Sequence, residues 1–184
     1  YEVELMLAEL VRQLDEKGIL DDTVFVMTAD HYPYALEDDE LAELYGLPES
    51  RIRDNFDLYR NGLIIWSSSM EAPVKVSKPC SSIDILPTVS NLFGLEYDSR
   101  LITGTDVFSN GNHVAILSNK SFITDKVMYD AVKGKTTYLV DESQVPDGYI
   151  DAMLQVITNK MSVATVILNN DYYRFVYENT IGIK

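Results

Sequence analysis

Val3, Met6, Leu7, Leu10, Val11 and Leu14 fall at spacings of three and four with charged residues between them. That period predicts an amphipathic helix over residues 3–17 that packs on something and is closed by Gly18. Residues 23–28, Thr-Val-Phe-Val-Met-Thr, are dense in β-branched and aromatic side chains and predict a buried strand, so helix then strand makes half of an α/β repeat. Residues 37–45 predict a short acidic helix stopped at Gly46, with Pro48 preventing any continuation. Residues 50–59 predict another helical turn or two, and residues 63–67 an apolar strand. Further on, a serine at 81 or 82 caps a helix that carries Pro87 in its first turn and runs through Val89, Leu92 and Phe93 to Gly94.

From residue 114 the alternation becomes two-fold. A strand is expected over 114–117, and runs 127–132 and 136–140 form a hairpin about Lys133-Gly134-Lys135. Residues 148–169 return to the helical period, with Ile150, Met153, Leu154, Ile157, Met161, Ala164 and Leu168 on one face. The class expected is α/β, a mixed sheet flanked by helices, with a β-rich carboxyl-side portion and a long terminal helix. No linker divides the chain clearly; residues 1–145 are expected as one body, with residues 146–184 as a long helix and tail packing on it.

Composition narrows the functions. With 184 residues and 46% hydrophobic content, the chain can bury a sizeable core. No run approaches the roughly 18 consecutive apolar residues of a membrane span, so a soluble body is expected. The start, Tyr1-Glu2-Val3-Glu4, has no basic or apolar leader character and reads as an internal point of a longer protein. Twenty-nine acidic against fifteen basic residues give a net charge of −14, which disfavours nucleic acid, since a phosphate backbone needs a lysine and arginine footprint. The single cysteine, Cys80, excludes an internal disulfide framework and is expected buried or half-buried.

The chemistry concentrates at Asp30-His31, where the strand of residues 23–28 breaks off into the turn Tyr32-Pro33-Tyr34. The plain reading is an aspartate capping a turn and a histidine bonded to a backbone carbonyl. Against it stands position, because open α/β sheets bind ligands beyond the carboxyl ends of their strands. A carboxylate oxygen beside a neutral imidazole nitrogen also suits Mn²⁺ or Zn²⁺ better than Ca²⁺. Neighbours on a strand point to opposite faces, so both side chains reach one ion only if the backbone leaves strand geometry there. A metal site needs three or four ligands, and the only other histidine, His113, sits in Ser109-Asn110-Gly111-Asn112, which predicts an exposed surface turn. No Gly-x-Ser-x-Gly and no Gly-rich phosphate loop is present.

Taken in order, Gly18-Ile19-Leu20-Asp21-Asp22-Thr23-Val24-Phe25-Val26, Thr28-Ala29-Asp30-His31-Tyr32, Ile83-Asp84-Ile85-Leu86-Pro87-Thr88, Asn91-Leu92-Phe93-Gly94-Leu95 and Thr103-Gly104-Thr105-Asp106-Val107-Phe108 make a series. The series resembles the second half of a sulfatase-type domain of the alkaline phosphatase superfamily, most of all the lipoteichoic acid synthase group of phosphoglycerol transferases. The likeness spans roughly residues 1–130; the terminal helix is outside it. It implies that residues 1–145 are the carboxyl-side half of an alkaline-phosphatase-like catalytic domain. It further implies metal-dependent transfer through a covalent enzyme intermediate, with Asp30 and His31 as metal ligands and the threonine nucleophile in a preceding half. No catalytic nucleophile is expected within the chain, since Thr28 precedes the pair inside the strand. One divalent cation is implied, Mn²⁺ first, with Mg²⁺, Ca²⁺ or Zn²⁺ as substitutes.

The implied partners are an anionic phospholipid or another phosphodiester or sulfate-ester substrate, and the missing amino-side half of the same domain. Tyr32, Tyr34, Lys75 and Lys78 are candidate substrate contacts. The implied place is the extracellular face of a bacterial membrane, with the tether outside this chain. Ala29 and Pro33 stand where the group commonly has glycine, so the local backbone differs. Two other readings are a sulfatase or phosphatase acting on a soluble ester, and a non-catalytic domain that binds a partner.

Overall fold

The computed structural model describes residues 1–52 and 56–181, which divide into two units, Tyr1–Val74 and Lys75–Lys184. In the first unit α1 spans Glu2–Glu16, and Gly18 follows it at φ 68°, the left-handed conformation that glycine adopts without steric cost. Arg12 lies between Glu9 and Glu16 on one face, hydrogen-bonded to both. The opposite, apolar face was expected to pack, yet no residue of α1 is buried, and Val3 and Met6 stay 66% and 54% exposed.

Strand β1, Phe25–Thr28, pairs antiparallel with β2, Leu63–Trp66, in a two-stranded sheet running from Phe25 opposite Trp66 to Thr28 opposite Leu63. The Phe25 and Trp66 rings lie 5.3 Å apart. The expectation of a buried strand holds for Phe25 alone; Val26 and Thr28 are exposed, because among the described residues β1 is covered on one face only. Between the strands, Glu37 and Glu40 form a reciprocal capping box that starts α2, Asp38–Tyr45, and Gly46 ends it at φ 63°. Helix α3, Glu49–Ile52, and a 3₁₀ turn, Asp57–Tyr59, supply the turns expected over 50–59, of which 53–55 lie outside the described residues. Leu41, Ile52 and Leu58 make a small core there, backed by Ala42, Tyr45 and Leu47.

The second unit starts on a carboxylate joint. Ser81 and Asp84 close a capping box around the turn Ser82–Asp84, which leads into α4, Ile85–Leu92. Asp84 is buried and accepts the Ser81 N–H at 2.8 Å and the Thr105 N–H at 2.7 Å. Thr88, also buried, donates to Asp84 O and accepts from Val107 N. The backbones approach so closely here that a Cβ on Gly104 would lie 1.9 Å from Ile83 O, so only glycine fits.

Four short strands follow, β3 (Ala115–Ile116), β4 (Phe122–Ile123), β5 (Val127–Asp130) and β6 (Lys135–Tyr138), paired antiparallel in that order. The expected hairpin is β5–β6, with Gly134 at φ 61° in its turn. Strand β4 is not predicted, being two residues set between turns, too short to show alternation. Helix α5, Tyr149–Asn169, lies on this sheet around buried Phe122, Val127 and Ile157, with Ile150, Met153, Leu154 and Met161 packed against them. Leu168, placed on the same face by its spacing, is 75% exposed; Ile167 is buried instead, three residues on from Ala164. Helix α6, Tyr172–Val176, continues the chain, and residues 182–184 of the tail lie outside the described residues.

Two further expectations fail in this unit. His113 is buried rather than exposed, with Nε2 bonded to Ser109 O at 3.0 Å, because the turn folds its ring inward onto its own carbonyl. Cys80 is exposed rather than buried, although desolvation, and then the charge of Asp84, hold its thiol above the usual range. No helix among the described residues is long and apolar enough to cross a membrane. The observed α/β class, with helices on sheets and a β-rich carboxyl-side portion, agrees with the pattern of the sequence.

Candidate functional site

Strand β1 ends at Thr28, and the pair expected to carry chemistry follows after one intervening residue, Ala29. Asp30 Oδ1 and His31 Nε2 lie 3.5 Å apart, with side chains 87% and 52% exposed respectively. His31 Nδ1 sits 2.8 Å from Tyr32 O. A carbonyl only accepts, so Nδ1 carries the hydrogen, and in the neutral ring Nε2 presents its lone pair beside the carboxylate. The plain reading of the histidine, a bond to a backbone carbonyl, is therefore present, and it orients the ring without engaging Nε2. Metal-bound histidines are held in this way, by a bond from the second ring nitrogen.

The donor set, one anionic oxygen and one imidazole nitrogen at a strand's carboxyl end, suits a borderline divalent cation. Two ligands are short of a full shell, and no group of three or more His, Cys, Asp or Glu suited to an ion occurs among the described residues. Asp30 and His31 stand together as two ligand-type side chains, without a third beside them among the described residues.

Three tyrosines follow from the histidine in a chain of ring contacts. The Tyr34 ring lies 4.7 Å from the His31 ring, and Tyr32 meets Tyr34 edge-on at 6.1 Å and Tyr59 at 5.2 Å. Tyr59, unlike Tyr32 and Tyr34, goes unremarked in the sequence, because 27 residues separate it from Tyr32 and no motif contains it. Asn61, hydrogen-bonded to Thr28 and Ala29, escapes notice for the same reason.

Lys75 and Lys78 belong to the second unit. Lys75 is exposed, while Lys78 Nζ donates to Ser109 O at 2.5 Å and to Val107 O at 3.5 Å, so its ammonium already holds a loop.

Comparison with known proteins bears directly on these residues. The family model described as Sulfatase matches residues 1–95, which include Asp30, His31 and the Asp84 motif. Lipoteichoic acid synthase 2 of Bacillus subtilis (strain 168) is 28% identical over 174 residues, covering 91% of this chain and 26% of that protein. Lipoteichoic acid synthase of Staphylococcus aureus (strain USA300) is 28% identical over 177 residues, covering 94% of this chain and 27% of that protein. The chain thus spans about a quarter of the length of these relatives. The crystal structure of the lipoteichoic acid synthase LtaP from Listeria monocytogenes superposes with a TM-score of 0.60 at 23% identity, over 86% of this chain and 42% of that one, so the two share a fold. With more than half of its residues matched by the family model, and with its fold found again in a related synthase, this chain belongs to the sulfatase family.

Proposed function

We propose that the chain is the carboxyl-side part of a lipoteichoic acid synthase-like phosphoglycerol transferase, and that Asp30 and His31 hold its catalytic divalent cation. The observation that carries this reading is the 3.5 Å approach of Asp30 Oδ1 to His31 Nε2, with Nδ1 committed to Tyr32 O. Its likeness to two lipoteichoic acid synthases over nine-tenths of the chain supports it.

A threonine nucleophile and the remaining ligands belong to a preceding part of the domain. A bound cation, Mn²⁺ first, supplies charge neutralisation at phosphoryl oxygens. Asp30 contributes the anionic ligand, His31 a neutral one whose orientation the Tyr32 carbonyl sets. Tyr32 and Tyr34 form an amphipathic rim for an anionic phospholipid headgroup. Lys75 and Lys78, in the other unit, are each candidate contacts for an anionic substrate, Lys78 with only its remaining N–H to give. The catalytic part works on the extracellular face of a bacterial membrane, tethered by segments outside this chain, and residues 1–184 alone turn over no substrate. A second reading, hydrolysis of a soluble sulfate or phosphate ester, is favoured by the matched family's own description, Sulfatase. The nucleophile separates them: threonine for transfer, a formylglycine precursor for a sulfatase.

The test is calorimetry of Mn²⁺ with the full-length protein, wild type against Asp30→Ala and His31→Ala, with phosphodiester turnover followed in parallel. Both variants are expected to lose binding and turnover together. Wild-type binding in both returns the pair to a capped turn.

A further inference from the structure

We infer that Asn61 is the positioning residue that lets Asp30 and His31 converge, an inference that rests on the metal reading above. The β1–β2 register ends with Thr28 opposite Leu63; continued, it sets Ala29 opposite Gly62 and Asp30 opposite Asn61. A regular ladder through those positions would send Asp30 and His31 to opposite faces. Instead, the Asn61 carboxamide takes the place of the next rung. Its Oδ1 accepts from Ala29 N at 3.4 Å and Gly62 N at 2.7 Å. Its Nδ2 donates to Ala29 O at 3.1 Å and to Thr28 Oγ1 at 3.3 Å.

Two N–H groups face one end of the amide and two oxygens the other, so only one orientation satisfies all four. Ala29 has both backbone polar groups engaged by a side chain, and the strand can end there without leaving orphans. The main chain is then free to turn at Asp30, which brings the carboxylate and the imidazole to 3.5 Å. The bond to Gly62 by itself would make Asn61 an ordinary turn residue. Its three contacts with Thr28 and Ala29 bridge more than 30 positions of sequence and tie the approach of one strand to the exit of the other. Partners behind metal ligands commonly change affinity 10–100-fold when removed.

The experiment measures Mn²⁺ affinity in the full-length protein for wild type, Asn61→Ala, Asn61→Asp, His31→Ala and Leu41→Ala, with each melting temperature. Backbone amide exchange at Ala29 is recorded without metal. Leu41 sits in the separate Leu41–Ile52–Leu58 core and controls for general destabilisation. Asn61→Ala is expected to weaken Mn²⁺ about 10-fold or more, and to speed exchange at Ala29, while Leu41→Ala lowers melting and leaves the affinity alone. Asn61→Asp keeps the two accepted bonds and loses the donated ones, and is expected to fall between; it carries the comparison if Asn61→Ala does not fold. Wild-type affinity and exchange in the Asn61 variants, or an equal loss in Leu41→Ala, overturns the positioning role. Unchanged binding in His31→Ala overturns the metal reading instead.

Discussion

In residues 75–184 a sheet and a 21-residue helix close on one another around Phe122, Val127 and Ile157. In residues 1–74 the longest helix buries none of its residues, and the strand leading to Asp30 and His31 has one hydrogen-bonded neighbour among the described residues. The family match covers the whole of the second of these regions and only the start of the first. Self-sufficiency and chemistry are thus separated along the chain. The unit with the more complete core lies largely outside the matched residues, and the unit with the candidate ligands leaves its α1 apolar face and much of its β1–β2 sheet exposed among the described residues. This fits the proposal that the remaining ligands come from another part of the domain.

The contrast is sharpest in parallel truncations to alanine. Phe122→Ala is expected to cost about 3–5 kcal/mol, whereas Met6→Ala on the open face of α1 should stay within about 0.5 kcal/mol. Denaturant unfolding of the 184-residue chain reads both. A large loss at Met6 would mean that α1 has a partner, and the comparison would break. Gly104→Ala tests the joint at the start of the second unit, where the added methyl meets Ile83 O; overpacking of about 1–3 kcal/mol is expected, with the Thr105 amide losing its exchange protection.

The smallest effect lies on α1 and sharpens the contrast from the other side. Arg12, and then Gln13, hydrogen-bond Glu9 and hold its carboxyl at about 2, well below the usual 4.5. A depressed carboxylate contributes stability above its ordinary value and loses it as pH falls through the folded one. The Arg12→Gln variant is expected to shift the Glu9 midpoint upward in an NMR titration while barely moving the melting temperature, since the group is fully exposed.

Local features of the fold were legible where a single segment carries the signal. The period of α1 and α5, Gly18 and Gly46 behind their helices, and the Gly134 hairpin are all written in neighbouring residues. What needed distant residues was not legible. The partner of β1 is 35 or more residues away, β4 is too short to alternate, and His113 was misplaced because turn composition says nothing of which way a ring folds. At the site the same division holds. Asp30 and His31 stand out as adjacent ligand types, but Tyr59 and Asn61 gain their places only through strand register and ring packing.

The Asp84 carboxylate joins Ile83-Asp84 to Gly104-Thr105, so two motifs about twenty positions apart form one piece of architecture. The segment between them is anchored at both ends and includes a surface turn, Ser99–Leu101, with no buried residue. Insertions near that turn add only slowly growing loop entropy, provided they leave the Tyr173 hydroxyl its bond to Leu101 O. A deletion that displaces Gly104 by a single residue brings a side chain against Ile83 O and opens the joint.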